Sequence, residues 1–163
     1  GVRVIEVGQA LAGPLAGAIM ADMGADVIKV EKPDGGDDAR LWGPPFGPDG
    51  ETSLYFYGQN RNKRSVTLDL KAPADIEALH RLCETADILV QNLRPGVVDE
   101  LGIGPDAMRA RHPRLVYCSI WAFGATGPMR MRPGFDPLLQ AYGGMMSVTG
   151  RPEDPPTFCG ASI

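Results

Sequence analysis

The chain has 163 residues, 44% of them hydrophobic, which is enough for a core of its own and makes one globular domain the default. A net charge of −4 and a pI near 5.1 exclude the basic face that non-specific nucleic-acid binding needs, so any anionic ligand must be held by local basic residues. No apolar run approaches the ~18 residues of a membrane span and no signal peptide precedes Val2, so a soluble cytoplasmic protein without a membrane partner is expected.

In chain order, Val2, Val4, Ile5 and Val7 form a short apolar, β-branched run that ends at Gly8, the pattern of a buried strand. Gly13-Pro14 starts a helix in which Leu15, Ala18, Ile19 and Met23 follow at helical spacing, and Gly24 stops it. Asp26–Glu31 reads as a second strand closed by Pro33. A unit this compact is right-handed and parallel, and it places a ligand crevice at the carboxyl end of the first strand, in the loop Gly8–Gly13. That loop lacks the middle glycine of the dinucleotide fingerprint, and no Walker A sequence occurs, so a nicotinamide site is not expected.

Residues 34–52 hold so many Gly, Pro and Asp that they read as a long surface loop, of the kind that is functional or disordered; Arg40, Trp42 and Phe46 favour function. Ser53–Tyr57 is an apolar, aromatic run, after which residues 58–64 turn the chain into a strand over Ser65–Leu70. Arg61, Lys63 and Arg64 in that turn either cradle a phosphate or lie on a solvated hairpin. Pro73–Ala86 is the clearest helix, with Ile76, Leu79, Leu82, Cys83 and Ala86 on one face and acidic residues in its first turn; His80 on it reads as structural. Ile88–Asn92 follows as a third parallel strand of the same pattern, so Asn92–Gly96 faces the crevice. Val97–Leu101 and Pro105–Arg111 make short helical pieces, and His112, before Pro113, reads as a helix-end residue near surface water. Leu115–Ile120 is another strand, followed by the glycine-rich loop Trp121–Pro128 with Arg130 and Arg132 beside it. A last helix runs from about Pro137 to Gly143-Gly144, with Asp136 as its N-cap. Cys83, Cys118 and Cys159 are odd in number and lack metal-ligand spacing; they read as reduced core thiols, with no metal site.

The Gly8–Pro14 turn, the Ala21–Pro33 segment and Asn62-Lys63-Arg64-Ser65 resemble the class III coenzyme A transferases, in order through essentially the whole chain. This is the group of formyl-CoA transferase and carnitine CoA-transferase, with α-methylacyl-CoA racemase among its relatives. The resemblance implies an α/β fold, a Rossmann-like, mostly parallel sheet with flanking helices. It also implies that residues 1–163 are the N-terminal portion of the large CoA-binding domain, since the family's members are much longer. The ends agree: the chain opens inside a strand without an initiator methionine and stops in a further apolar segment, as a fragment would.

The same resemblance implies coenzyme A and acyl-CoA as substrates together with a carboxylic acid. Arg40 would lie near the CoA nucleotide, Leu68 and Lys71 at its adenine and phosphate end, and Asn92 and Leu93 around the adenine. Ala10, in the crevice turn, and Arg94, next to Leu93 but outside the family pattern, join them as cofactor-binding candidates. Transfer needs a carboxylate nucleophile, expected about two positions beyond Ile163, and N–H donors aimed at an oxyanion, for which the glycine-rich loops Gly8–Gly13 and Trp121–Pro128 are suited. Gln9 is the polar side chain expected to reach the reacting acyl group; its plainer reading is a turn residue capping the first helix. Phe135 stands where the family's racemases carry a histidine, so racemisation by that base is disfavoured and an aromatic wall of the acyl pocket is expected instead. The parent would be an interlocked homodimer and the fragment alone inactive. A racemase or isomerase of the same family, and a non-catalytic CoA-binding module, are the alternatives.

Overall fold

The computed structural model describes residues 1–160. The described residues form two units, Gly1–Ile120 and Trp121 onward. The first contains strand β1 (Arg3–Val7), helix α1 (Ala12–Asp22), β2 (Asp26–Glu31), α2 (Leu54–Asn60), β3 (Lys63–Thr67), α3 (Pro73–Cys83), β4 (Ile88–Gln91), α4 (Val97–Glu100), α5 (Pro105–Arg111) and β5 (Val116–Ser119). The five strands make one sheet in the order β3-β2-β1-β4-β5, every pair parallel. The order reverses between β1 and β4, which puts the crevice at the carboxyl ends of those two strands.

The β1 register sets the two faces of the sheet. Ile5 lies between Ile28 and Leu89, and with Val7 and Val30 it packs against Leu79 and Cys83 of α3, Val98 of α4 and Met108 of α5. On the opposite face Val4, Val27 and Val90 meet Ala21 of α1. Glu6 and its register partner Lys29 share that second face and are almost completely buried. Gly17 of α1 is needed there, because a Cβ on it would stand 2.1 Å from Glu6 Oε2.

Several elements depart from the expectation. Residues 54–60 form a helix rather than an apolar run leading into a turn, because Ser53 caps it: its Oγ accepts the Phe56 N–H at 3.0 Å and donates to the Ala39 carbonyl at 2.5 Å. β3 consequently starts at Lys63 and ends at Thr67, and it pairs in parallel with β2, so there is no hairpin. α1 begins at Ala12, with Pro14 still in the first turn, where its missing N–H is harmless; Gly24 at φ +94° ends it. His112 does cap the end of α5, yet it is buried, stacked on His80 with His80 Nδ1 and His112 Nε2 3.0 Å apart. Of the cysteines only Cys83 is a core thiol, pushed up to about 12 by burial; Cys118 is exposed and Cys159 half-buried.

In the second unit α6 (Asp136–Tyr142) opens at Phe135, so Asp136 is its first helical residue rather than its N-cap, and its carboxylate accepts from Gln140 Nε2 at 2.8 Å. No helix among the described residues is long and apolar enough to cross a membrane.

Candidate functional site

A cleft of about 190 Å³ opens at the carboxyl ends of the first four strands. Leu68, Leu70, Leu93, Val97 and Leu101 make an apolar wall, and Gln9, Asp37 and Lys71 supply polar groups. The volume is below the roughly 300–1,000 Å³ of a pocket that encloses a drug-sized ligand, so the cleft suits one end of an extended molecule. It brings together Gln9, Leu68, Lys71 and Leu93 of the sequence-derived candidates. Lys71 is exposed, and among the described residues no ion pair holds it, whereas Lys32 is engaged by Asp38 at 2.5 Å.

The loop that carries Gln9 is fixed from two sides. Asn92, at the end of β4, accepts the Gln9 N–H with Oδ1 and donates from Nδ2 to the Gln9 carbonyl, both at 2.9 Å. Asp37 Oδ1 accepts the Ala10 N–H at 3.1 Å and the Ala39 N–H at 2.9 Å. Ala10 sits at φ +65°, a left-handed conformation that an alanine holds only under such constraint.

Beneath the loop lies a quartet of buried charges. Lys29 Nζ contacts Glu6 Oε1 at 2.8 Å, Asp37 Oδ2 at 2.9 Å and the Gly8 carbonyl at 2.9 Å. Lys63 Nζ reaches Glu6 Oε2 and the Pro14 carbonyl, each at 2.7 Å. Burial pulls the Lys63 ammonium below its ordinary value, with Glu6 opposing it. Two ammonium and two carboxylate groups cancel, which is the arrangement a dry interior permits.

Arg40 forks onto Glu31, Nε to Oε2 and Nη2 to Oε1 at 2.8 Å each, with its guanidinium 3.9 Å from the centre of the Phe56 ring. Burial raises the Glu31 carboxyl, but Arg40, the Ser65 hydroxyl and the Asp37 N–H outweigh it and hold the group at about 2. The basic turn is no phosphate cradle: Arg61 pairs with Asp22, Arg64 with Asp26, and Lys63 is buried. Arg94 is exposed and not part of the cleft wall, its carbonyl accepting the Val97 N–H. Phe135 belongs to the second unit and is 70% exposed. The expected nucleophile lies outside the described residues, as does the end of the apolar segment leading to it.

Sequence reasoning missed Glu6, Lys29 and Asp37, and it took Lys63 for part of a basic turn and not for a buried partner of Glu6. The signal available was a charge inside each of two apolar parallel strands, Val-Ile-Glu-Val and Val-Ile-Lys-Val, which should otherwise read as continuous hydrophobic runs.

The chain is 46% identical over 167 residues to a succinate–glutarate CoA-transferase of Agrobacterium fabrum, all of this chain matching 42% of that protein. It is 41% identical to an acetyl-CoA:oxalate CoA-transferase of Acetobacter aceti, with 99% of this chain against 41% of that one. The chain thus spans about two-fifths of the length of these relatives. Among solved structures, a CaiB/BaiF family protein from Brucella suis superposes with a TM-score of 0.94 at 43% identity, covering 99% of this chain and 43% of that one. The family model for CoA-transferase family III matches residues 1–163, and the chain belongs to that family.

Proposed function

We propose that the protein containing this chain transfers coenzyme A from an acyl-CoA to a carboxylic acid, and that the cleft at the strand ends receives the nucleotide end of CoA. The observation that carries this reading is the convergence of Leu68, Leu93, Lys71 and Gln9 on one cleft at the topological switch point. Leu68 and Leu93 offer apolar surface to a base, and Lys71 offers a point charge to phosphate. Arg40 has one edge of its guanidinium on Glu31 and the other left for an anion. Asn92 and Ala10 shape the turn; the Asn92 amide is already engaged by Gln9 and lends the ligand only its surface. In this reading Arg94, exposed and next in the chain to the wall residue Leu93, meets the ligand from solvent.

In this reading an aspartate just beyond Ile163 attacks the thioester carbonyl and expels CoA thiolate, leaving a mixed anhydride. The thiolate attacks the aspartyl carbonyl, which releases the donor acid and leaves CoA on the enzyme as a thioester. The acceptor carboxylate then displaces CoA thiolate in the same way, and the thiolate takes the acceptor's acyl group, regenerating the aspartate. Gln9 steadies the oxyanion formed at these steps. Phe135, with no exchangeable proton, serves as an apolar neighbour of the acyl group in the whole protein, which disfavours a racemase. The parent acts in the cytoplasm as a homodimer, and residues 1–163 alone are inactive because they lack the nucleophile.

The test is to incubate the full-length protein with an acyl-CoA and treat it with hydroxylamine. A hydroxamate on the first aspartate after Ile163, together with label passing from the acyl-CoA to an acid acceptor, is the expected result. A protein that binds CoA and is never modified would be a binding module and not a transferase.

A further inference from the structure

We infer that Asn92, Asp37 and Lys29 are positioning residues for Gln9, holding the main chain on both of its sides so that only its side-chain amide is left to face the cleft. Four consecutive main-chain polar groups are accounted for. The Gly8 carbonyl accepts from Lys29 Nζ at 2.9 Å, the Gln9 N–H and carbonyl are both taken by Asn92 at 2.9 Å, and the Ala10 N–H goes to Asp37 at 3.1 Å. Gln9 is the residue at the centre of this set, and it lines the cleft.

Two consequences change how the loop is understood. The N–H groups of Gln9 and Ala10 are spent on side chains, so the donor this part of the loop offers a substrate oxygen is the Gln9 carboxamide and not the backbone. The loop's glycines also acquire a purpose. A Cβ at Gly8 would stand 2.4 Å from Asn92 Oδ1 and one at Gly13 2.9 Å from it, so both glycines make room for an asparagine amide where a dinucleotide fold makes room for a pyrophosphate. The pairing is also specific to the amide: a carboxylate at position 92 could still accept the Gln9 N–H but would repel the Gln9 carbonyl, and an alkyl group could do neither.

Asp37 brings the long 34–52 loop into the same device. Its Oδ1 holds the Ala10 N–H and the start of the short helical turn at Asp38–Leu41, while its Oδ2 is paired with Lys29, which also holds the Gly8 carbonyl. The order of one loop is therefore tied to the conformation of the other twice, directly by the Asp37 carboxylate on the Ala10 N–H and through the buried Lys29 ammonium.

The test uses the full-length protein with Asn92→Asp, Asn92→Ala and Asp37→Asn, and reads two quantities. In the first, amide hydrogen exchange at Gln9 and Ala10 is expected to speed up by roughly tenfold or more while Leu89 and Val90 in β4 keep their protection, the mark of a local opening. In the second, which rests on the transferase reading, kcat is expected to fall about 100-fold while CoA affinity changes by less than about tenfold, as misplacement of one reacting-centre group would cause. Unchanged exchange at Gln9 and Ala10 would overturn the inference, as would a loss of CoA affinity equal to the loss of kcat. If all three variants lost β4 protection as well, Asn92 and Asp37 would be general structural residues and the inference would fail. A wild-type protein without transferase activity would sink the functional reading alone, because the exchange result decides the clamp by itself.

Discussion

The two faces of the sheet in the first unit are stabilised by different physics. On the α3–α5 face, Ile5, Val7, Ile28, Val30 and Leu89 pack against Leu79, Cys83, Val98, Ile103 and Met108, and the polar groups buried with them include one histidine pair. On the α1–α2 face Val4 and Val27 are followed along their strands by Glu6, Lys29 and Glu31, which are held by Lys63, Asp37 and Arg40. Apolar packing is non-directional and tolerates small shifts, whereas a paired charge fixes the group it touches. The directional face is the one that ends at Gly8, Ala10 and the 34–52 loop. The difference teaches that one side of the sheet is held by packing that tolerates small shifts and the other by paired charges that fix the cleft loops.

The largest expected effect that could break this comparison comes from Lys29→Met. It removes the one ammonium shared by Glu6, Asp37 and the Gly8 carbonyl, and with Lys63 left to balance only Glu6, one carboxylate charge stands uncompensated in a dry interior. Uncompensated buried charge costs about 3–5 kcal/mol, measurable as a shift of the urea midpoint. A loss under about 1 kcal/mol would show that water enters this face freely, and the contrast between the faces would disappear. On the other face Leu79→Ala, at a fully buried position, is expected to cost about 3 kcal/mol through lost burial and the cavity it leaves. The two variants should differ in a second way: Leu79→Ala should leave amide exchange at Gln9 and Ala10 unchanged, and Lys29→Met should accelerate it.

How much of this was legible in the sequence follows the same division. The strands, α1 and α3 were readable because apolar residues recur at a period that depends only on near neighbours, and the crevice followed from the parallel topology those elements imply. The apolar wall residues Leu68 and Leu93 and the ammonium of Lys71 were reached through the family resemblance, and they do meet in one cleft. The charged quartet was not legible, since Glu6 and Lys29 are 23 residues apart and become neighbours only once β1 and β2 are in register. The basic turn was legible in part: Arg61 and Arg64 are exposed, as a solvated turn has them, but their pairing with Asp22 and Asp26 and the burial of Lys63 against Glu6 depend on residues distant in sequence. α2 escaped because its cap, Ser53, is anchored to Ala39 of the 34–52 loop, whose composition hides any order. His112 was placed near water because a proline follows it, a local rule that the distant His80 overrides.

The smallest expected effect concerns that pair and sharpens the comparison from the apolar side. His80 Nδ1 and His112 Nε2 are 3.0 Å apart on nearly parallel rings, so one nitrogen donates and the other accepts, which requires the accepting ring to be neutral. Burial lowers both pKa values from the ordinary 6.5, and Arg111 adds to this; Glu77 and Glu84 partly oppose it. A histidine whose folded-state pKa lies below its unfolded value lets the unfolded chain take up protons first as the pH falls. Its contribution is therefore complete above pH 6.5 and is lost as the pH drops below that. The carboxylates held low by partners, Glu31 at about 2 with Asp22, Asp26 and Glu77 also lowered, lose their contributions in a more acidic window. Between about pH 5 and 6.5 the slope of unfolding free energy against pH thus reports on the histidines. His112→Gln, which removes one of the two titrating rings and keeps an amide within reach of His80, should shrink that slope. An unchanged slope would place the acid sensitivity elsewhere and leave the α3–α5 face without a titrating element.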